Sequence, residues 1–404
     1  MATKFAFNIS ALPILLLLCI VIAVSSHALP PKVFNVLNYG AVGDGKTDNA
    51  QAFVKAWKDG CAHNGKSRVW IPNGKFFLSK ASFEGSCNAS MTFLIKGTLL
   101  APTNYQNLFT DTWIAFRYVD ALTVTGGGVL DGQGHSAWPY NDCKHNPQCK
   151  PLPATLRFDF VRNSRVQNIR SINSKSSHFN LFACENMNIS RVKLSAPSDS
   201  PNTDGIHIGS CSNIKISSSA IGTGDDCVSM VSGSQFIEIN DVSCGPGHGI
   251  SIGSLGRSHA HEYVKGITVR NCSFIGSDNG VRIKTWSPSQ YSVASGLVFQ
   301  DIVMQNSRNP IVIDQYYCPS PHCYLQGHSR SAVQIEDVTF KNIHGISGSE
   351  VALKLQCSEA MPCRNVKLID INLAYNGGPG RRATSLCSHV IGSSSGKLIP
   401  SGCV

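Results

Sequence analysis

The chain has 404 residues, a formal net charge of +10, and 42% hydrophobic against 15% charged residues. This composition suits a folded chain with a large core and excludes disorder. The basic excess favours an anionic partner. Lys and Arg are scattered, without basic runs or aromatic-interleaved basic stripes, so nucleic acid is not the expected one.

At the N-terminus Lys4 precedes the apolar run 11–24 (ALPILLLLCIVIAV), and Ser26-His-Ala28 follows as a small-x-small cleavage pattern. We read residues 1–28 as a secretory signal peptide cut after Ala28. The run is short of the roughly 20 residues a spanning helix needs, and no other long apolar run follows, so no membrane association is expected after cleavage. An exported chain meets acidic polysaccharide more often than nucleic acid. Removing the signal also removes Cys19, which leaves an odd number of the 16 cysteines. In that compartment they read as disulfides with at least one thiol left over. Close spacing makes Cys143/Cys149, Cys318/Cys323, Cys357/Cys363 and Cys387/Cys403 candidate pairs, with Cys61/Cys87 and Cys227/Cys244 as further ones. A zinc site is not expected, because no CxxC pair or His-x3-His spacing occurs. Asn88, Asn188 and Asn271 head glycosylation sequons.

Residues 47–60 carry Ala50, Phe53, Val54 and Trp57 at i, i+3, i+4 and i+7 behind a Thr/Asp cap, which predicts one amphipathic helix. Such a helix near the start would cover the open end of a solenoid. A repeat then occupies the middle of the chain. One series of short strands runs Met187-Asn-Ile189, Ile214-Lys-Ile216, Ile237-Glu-Ile239, Ile267-Thr-Val269, Leu297-Val-Phe299, Val338-Thr-Phe340 and Val366-Lys-Leu368. A polar turn residue and another apolar residue follow several of them, as in Asn240-Asp-Val242. Interleaved is a second series: Asp204-Gly-Ile-His-Ile208, Asp226-Cys-Val-Ser-Met230, His248-Gly-Ile-Ser-Ile252, Asn279-Gly-Val-Arg-Ile283 and Asn309-Pro-Ile-Val-Ile313. Fixed periods of this kind belong to solenoids, in which each coil buries its apolar face only by stacking on its neighbours. Short strands and the near absence of helical periodicity choose a parallel β-helix over a helical array. A sandwich would not explain the period. After the signal we read one domain, residues 29–404, all-β.

Stacking turns sequence steps into contacts, since equivalent positions in successive coils lie about 4.8 Å apart. Asp204, Asp226 and His248 share the position before the strand and should form one column, with Asp225 beside it. Arg282 and Lys284, two apart in a strand, face the same way. Three carboxylates, an imidazole and two cations therefore line one groove. Clustered carboxylates raise one another's proton affinity, so that one keeps a proton while another is ionised, as acid–base hydrolysis of a glycosidic bond requires. The two cations ask for an anionic sugar, and a guanidinium matches a sugar carboxylate bidentately. The reading from residues is a uronic-acid polymer hydrolase.

Four segments in order, Ser200-Pro-Asn-Thr-Asp-Gly205, Gly222-Thr-Gly-Asp-Asp-Cys227, Gly245-Pro-Gly-His-Gly249 and Arg282-Ile-Lys284, resemble the signature motifs of glycoside hydrolase family 28, the polygalacturonases. The likeness runs from Tyr39-Gly-Ala-Val-Gly-Asp-Gly-Lys-Thr-Asp48 to the closing cysteines. It implies a single right-handed parallel β-helix that hydrolyses α-1,4 bonds of polygalacturonic acid (pectin) with inversion, as a monomer and with no metal or cofactor. By motif, Asp225 would be the general acid, Asp204 and Asp226 would hold and activate water, and His248 would tune the acid. Arg282 and Lys284 would grip the substrate carboxylate, while Asn202 and Tyr317, with Tyr316 beside it, would line the site. Gly97-Thr-Leu-Leu-Ala-Pro102, Leu156-Arg-Phe-Asp-Phe160 and Val281-Arg-Ile-Lys-Thr-Trp286 are most similar to the plant pollen exopolygalacturonases, which implies release of single galacturonic acids from the non-reducing end. Endo action within the same family is the alternative. A calcium-dependent pectate lyase and a non-catalytic pectin-binding wall protein are the competing readings. An intact acid–base set has no use in a binding module, and the motifs match the hydrolase.

Overall fold

The computed structural model describes residues 30–104, 110, 112–142, 146, 148–258, 260–319, 330–378 and 380–404. The expected signal peptide, Cys143 and Cys323 lie outside them. Residues 31–404 form one compact unit, a right-handed parallel β-helix with a short helix near its N-terminal end.

Both series of the repeat are in register. Met187, Ile214, Ile237, Ile267, Leu297, Val338 and Val366 pair successively in one parallel ladder. Ile206, Val228, Ile250, Val281 and Ile311 pair in the other, within a sheet of 11 strands among the described residues. A slip of one residue would turn every apolar side chain of a strand outward, so the alternation itself holds the register. Inside, like residues stack. Phe83, Phe116 and Phe158 form one aromatic column, with ring centroids 5.2 and 5.6 Å apart, and Phe299 lies on Phe340 at 5.2 Å.

The corners explain why Asn and Asp follow the apolar triplets. Asn168, Arg191, Asp241, Asn271, Asp301, Asn342 and Asp370 all have φ between 50° and 58°, in the left-handed range. Asn and Asp tolerate this region best among non-glycine residues. Their side chains also bond along the corner, as in Asn271 Nδ2 to Asn240 Oδ1 (2.8 Å) and Asn342 Nδ2 to Asp301 Oδ1 (2.8 Å).

The helix spans Ala50–Ala62, starting later than the pattern predicts. Thr47 and Asp48 belong to the strand Asp44–Asp48, and the cap residue is Asn49, whose side chain does not cap. Its amide bonds instead to the carbonyls of Val42, Thr47 and Phe77, and its oxygen accepts from the Val42 amide at 2.6 Å. Asp48 reaches forward to the Ala50 amide (3.1 Å). Two strands and the loop at Val42 compete for Asn49, so tying the entry of the helix to the sheet displaces local capping. Phe53 and Trp57 pack the helix on Phe76, Phe83, Phe93 and Phe116, and Trp57 Nε1 donates to the Glu84 carbonyl at 2.9 Å.

Cys61–Cys87, Cys227–Cys244, Cys357–Cys363 and Cys387–Cys403 are bonded, and Cys149 and Cys318 are also in disulfides. Cys184, Cys211 and Cys272 are buried free thiols. Cys272 pairs in register with Ile302, in an apolar position of the repeat. Of the sequon asparagines, Asn188 is exposed on its strand, while the amides of Asn88 and Asn271 donate to neighbouring side chains.

Trp57→Ala should lower the stability by about 3–5 kcal/mol through the cavity it leaves. Trp57→Phe should cost about 1 kcal/mol, mainly by orphaning the Glu84 carbonyl. Thermal midpoints of the two variants check the order; equal midpoints would mean that the helix does not close the core.

Candidate active site

The site lies on the outer face of the 11-stranded sheet, where its strands begin. Two glycines permit the chain path. A Cβ on Gly224 would come within 2.0 Å of the Ser200 carbonyl, and one on Gly249, at φ +86°, within 2.2 Å of the Gly280 carbonyl. The close pass at Gly224 is held by its amide, which donates to Thr203 Oγ1 at 2.9 Å. Asp204 and Asp225 therefore sit on two segments stitched together, and Cys227–Cys244 anchors the second of them below.

Asp226 is 2% exposed. Its Oδ1 accepts from Arg282 Nη2 (2.7 Å) and Ser251 Oγ (2.7 Å), and its Oδ2 from Lys284 Nζ (2.8 Å). Burial opposes its ionisation, but Lys284, Arg282 and these hydrogen bonds outweigh burial and bring its pKa down to about 2. Asp226 is a fixed anion.

Asp204 differs. Burial first, and then the charges of Asp225 and Asp226, raise its proton affinity against the opposing contribution of His207. Ser229 Oγ donates to Asp204 Oδ2 at 2.7 Å and lies 2.7 Å from His207 Nδ1. With its proton on Asp204, the serine must accept from His207, which places a hydrogen on Nδ1. The rise in proton affinity that clustering predicts therefore falls on Asp204.

Asp225 has 18% of its side chain exposed, much as Asp204 has 17%. Its Oδ1 accepts the Asp226 amide (2.8 Å) and faces His248 Nδ1 (2.9 Å), and its Oδ2 accepts from Asn202 Nδ2 at 3.3 Å. The bond to Asp225 chiefly raises the pKa of His248, with burial opposing. Asp278 lies 3.6 Å from His248 Nε2, and Asn279 Nδ2 holds the His248 carbonyl at 3.1 Å.

The sequence reading sets Arg282 and Lys284 against the substrate; in the structure both turn first to Asp226. Arg282 Nε also donates to Ser251 Oγ (3.0 Å), which uses two of the five guanidinium donors. Tyr317 covers both cations, its ring centroid 6.0 Å from the Arg282 guanidinium and 5.3 Å from Lys284 Nζ. It also meets Trp286 edge to face at 5.7 Å. Tyr316 points elsewhere, its hydroxyl donating to the Cys357 carbonyl at 3.4 Å. Asn202 is at the site. Its Oδ1 accepts from Asn141 Nδ2 at 3.0 Å.

His207, Ser229 and Ser251 were not among the residues expected to act. They occupy the fourth position of the same repeat unit that holds Arg282, and the four are in register; comparing that position across the repeats would have found them. Asn141 comes from an irregular segment and has no such signal. Ligand atoms of Asp225, Asp226 and His248 lie within 4.8 Å of one another, a spacing open to a metal ion. Arg282 and Lys284 already neutralise Asp226 and would repel a cation there.

Residues 61–395 match the model of glycosyl hydrolases family 28. The chain belongs to this family. Residues 33–86 also match the model of the rhamnogalacturonase A/epimerase, pectate lyase-like group. Among family 28 relatives, an exopolygalacturonase of Platanus acerifolia is 46% identical over 91% of this chain and 97% of its own. An exopolygalacturonase of Oenothera organensis is 45% identical over 88% and 98%. In fold, the chain is similar to the endo-xylogalacturonan hydrolase of Aspergillus tubingensis, with a TM-score of 0.77 and 23% identity over 91% of this chain and 100% of the other.

Asp226→Ala leaves two buried cations uncompensated and should cost about 3–5 kcal/mol of stability. The pair's contribution is intact above the ordinary carboxylate value of 3.8 and lost as pH falls through about 2. Acid denaturation of the wild type and the variant, followed by circular dichroism, should converge towards that lower limit; a constant gap down to it would contradict the ion-pair assignment.

Proposed function

We propose that the chain is a secreted exopolygalacturonase that hydrolyses α-1,4-galacturonosyl bonds of pectin with inversion and acts as a monomer. The observation that carries the chemistry is the division among three neighbouring aspartates. One is fixed as an anion by two cations, one has a raised proton affinity, and one is held between a histidine and an asparagine. Family membership and the exopolygalacturonase relatives support the substrate and the exo mode. Export rests on the expected signal peptide, and the disulfides agree with it.

Asp225 donates a proton to the leaving glycosidic oxygen, held by His248 on one side and Asn202 on the other. Asp204 takes the proton from the attacking water, because a carboxylate of raised proton affinity is the better base. Asp226 orients that water and keeps Arg282 and Lys284 in place. Outer guanidinium donors of Arg282, under the Tyr317 ring, take the sugar carboxylate. Within a family 28 site, this assigns unequal roles to Asp204 and Asp226.

A product time course on polygalacturonic acid tests the reading. Galacturonic acid alone is expected from the earliest points, without the ultraviolet absorbance of an unsaturated lyase product and without loss of activity on chelation. Asp225→Asn should abolish turnover, by a factor of about 10² to 10⁴ for loss of a general acid, while the melting temperature stays within about 0.5 kcal/mol equivalent of wild type. Undiminished sugar release from that variant would sink the mechanism.

The pH profile is a second test. A raised pKa keeps His248 charged beyond its ordinary 6.5, so kcat/KM should fall only as pH climbs above that value. In His248→Gln the limb should vanish; a limb of unchanged position would assign it to another group.

A further inference from the structure

Beyond Ile208, Met230, Ile252 and Ile283, which are registered with one another, the next outward positions are Gly209, Val231, Gly253 and Lys284. Two glycines and a valine thus floor the groove beside Lys284. The row on the N-terminal side breaks this pattern: Phe182 is in register with Gly209, and its side chain stands outward, 40% exposed. It is braced from behind. Phe182 meets Phe160 edge to face at 5.8 Å and 88°, and Phe160 stacks on Tyr118 at 5.0 Å and 4°. Of these three rings, Phe182 is the one in register with Gly209, beside the floor of the groove. The opposite edge of the same row is also raised. Trp138 Nε1 donates to the Ser174 carbonyl (3.0 Å), and Asn141 reaches from the same segment to Asn202.

We propose that Phe182 is the end wall of the groove and a specificity-determining residue: the terminal sugar of an acidic polysaccharide stops against its ring, and the chain leads away toward Arg282, Lys284 and Tyr317. Phe182 stands one strand, about 4.8 Å, from Gly209 on the strand that follows Asp204, on the N-terminal side of the groove. Its face suits the apolar C–H surface of a sugar. Removing the wall opens space for a second sugar. This inference rests on the hydrolase reading and supplies its exo mode with a physical cause.

The test uses hexagalacturonate and separates early products by chromatography. Wild type should release galacturonic acid alone. Phe182→Ala should also release digalacturonate, its share of early product at least about tenfold above the wild-type detection limit, within the range one lost packing contact provides. Phe182→Tyr should keep the wild-type pattern, and matching melting temperatures should show that both variants are folded. Monomer alone from both wild type and Phe182→Ala would overturn the wall and leave the hydrolase reading standing. A ladder of oligomers from wild type would overturn the wall together with the exo mode. No sugar from any form would reject the hydrolase reading, and the wall with it. Loss of all turnover in a folded Phe182→Ala would overturn the wall too, since a steric stop takes no part in proton transfer.

Discussion

The in-register stacking of coils is the constraint on which everything else depends. Each coil is too thin to bury its apolar triplets alone, so stability comes from matching neighbours. A parallel ladder fixes that match to a single residue. The same precision that lays Ile216 beside Ile239 sets Ser229 between His207 and Ser251 on the other face. Core and site are two sides of one alignment, and a side chain in the groove is positioned by the packing beneath it. The Asn and Asp corners serve the same end, giving each coil a turn of one shape where helical or extended backbone would shift the next strand.

Within that frame the three aspartates separate by surroundings. Two cations and a serine hold Asp226; Asp204 has one serine and two negative neighbours; Asp225 sits between an imidazole and an amide. Identical side chains are thereby given different work, as in other acid–base sites whose carboxyl groups are set apart by environment. Arg282 and Lys284 perform a structural task as well as any task in binding.

Much of this was legible from spacing. The step from Asp204 to Asp226 to His248 equals one coil, so a period in the sequence is a column in space, and Cys272 could be assigned a buried apolar position from its phase. What the spacing could not show was direction. Whether Lys284 aims at a substrate or at Asp226 depends on the path of a flexible side chain, and burial decides for Asp226. The helix start was misplaced because Thr47 and Asp48 look like a cap locally, whereas Asn49 answers to strands far away in sequence, Phe77 among them. Asn141 and Phe182 were missed for related reasons. One comes from an irregular segment with no period, and the other is an aromatic residue whose exposure appears only when its neighbours are laid alongside.

The buried anchoring of Asp226 also separates two effects of ionic strength. The excess positive charge that draws an acidic polymer from a distance acts through water, and added salt screens it over roughly 8–10 Å at physiological concentration. The pairs between Asp226, Arg282 and Lys284 span less than 3 Å between side chains that are at most 13% exposed, and screening hardly reaches them. Salt therefore weakens capture of the polymer while leaving the assembled site intact.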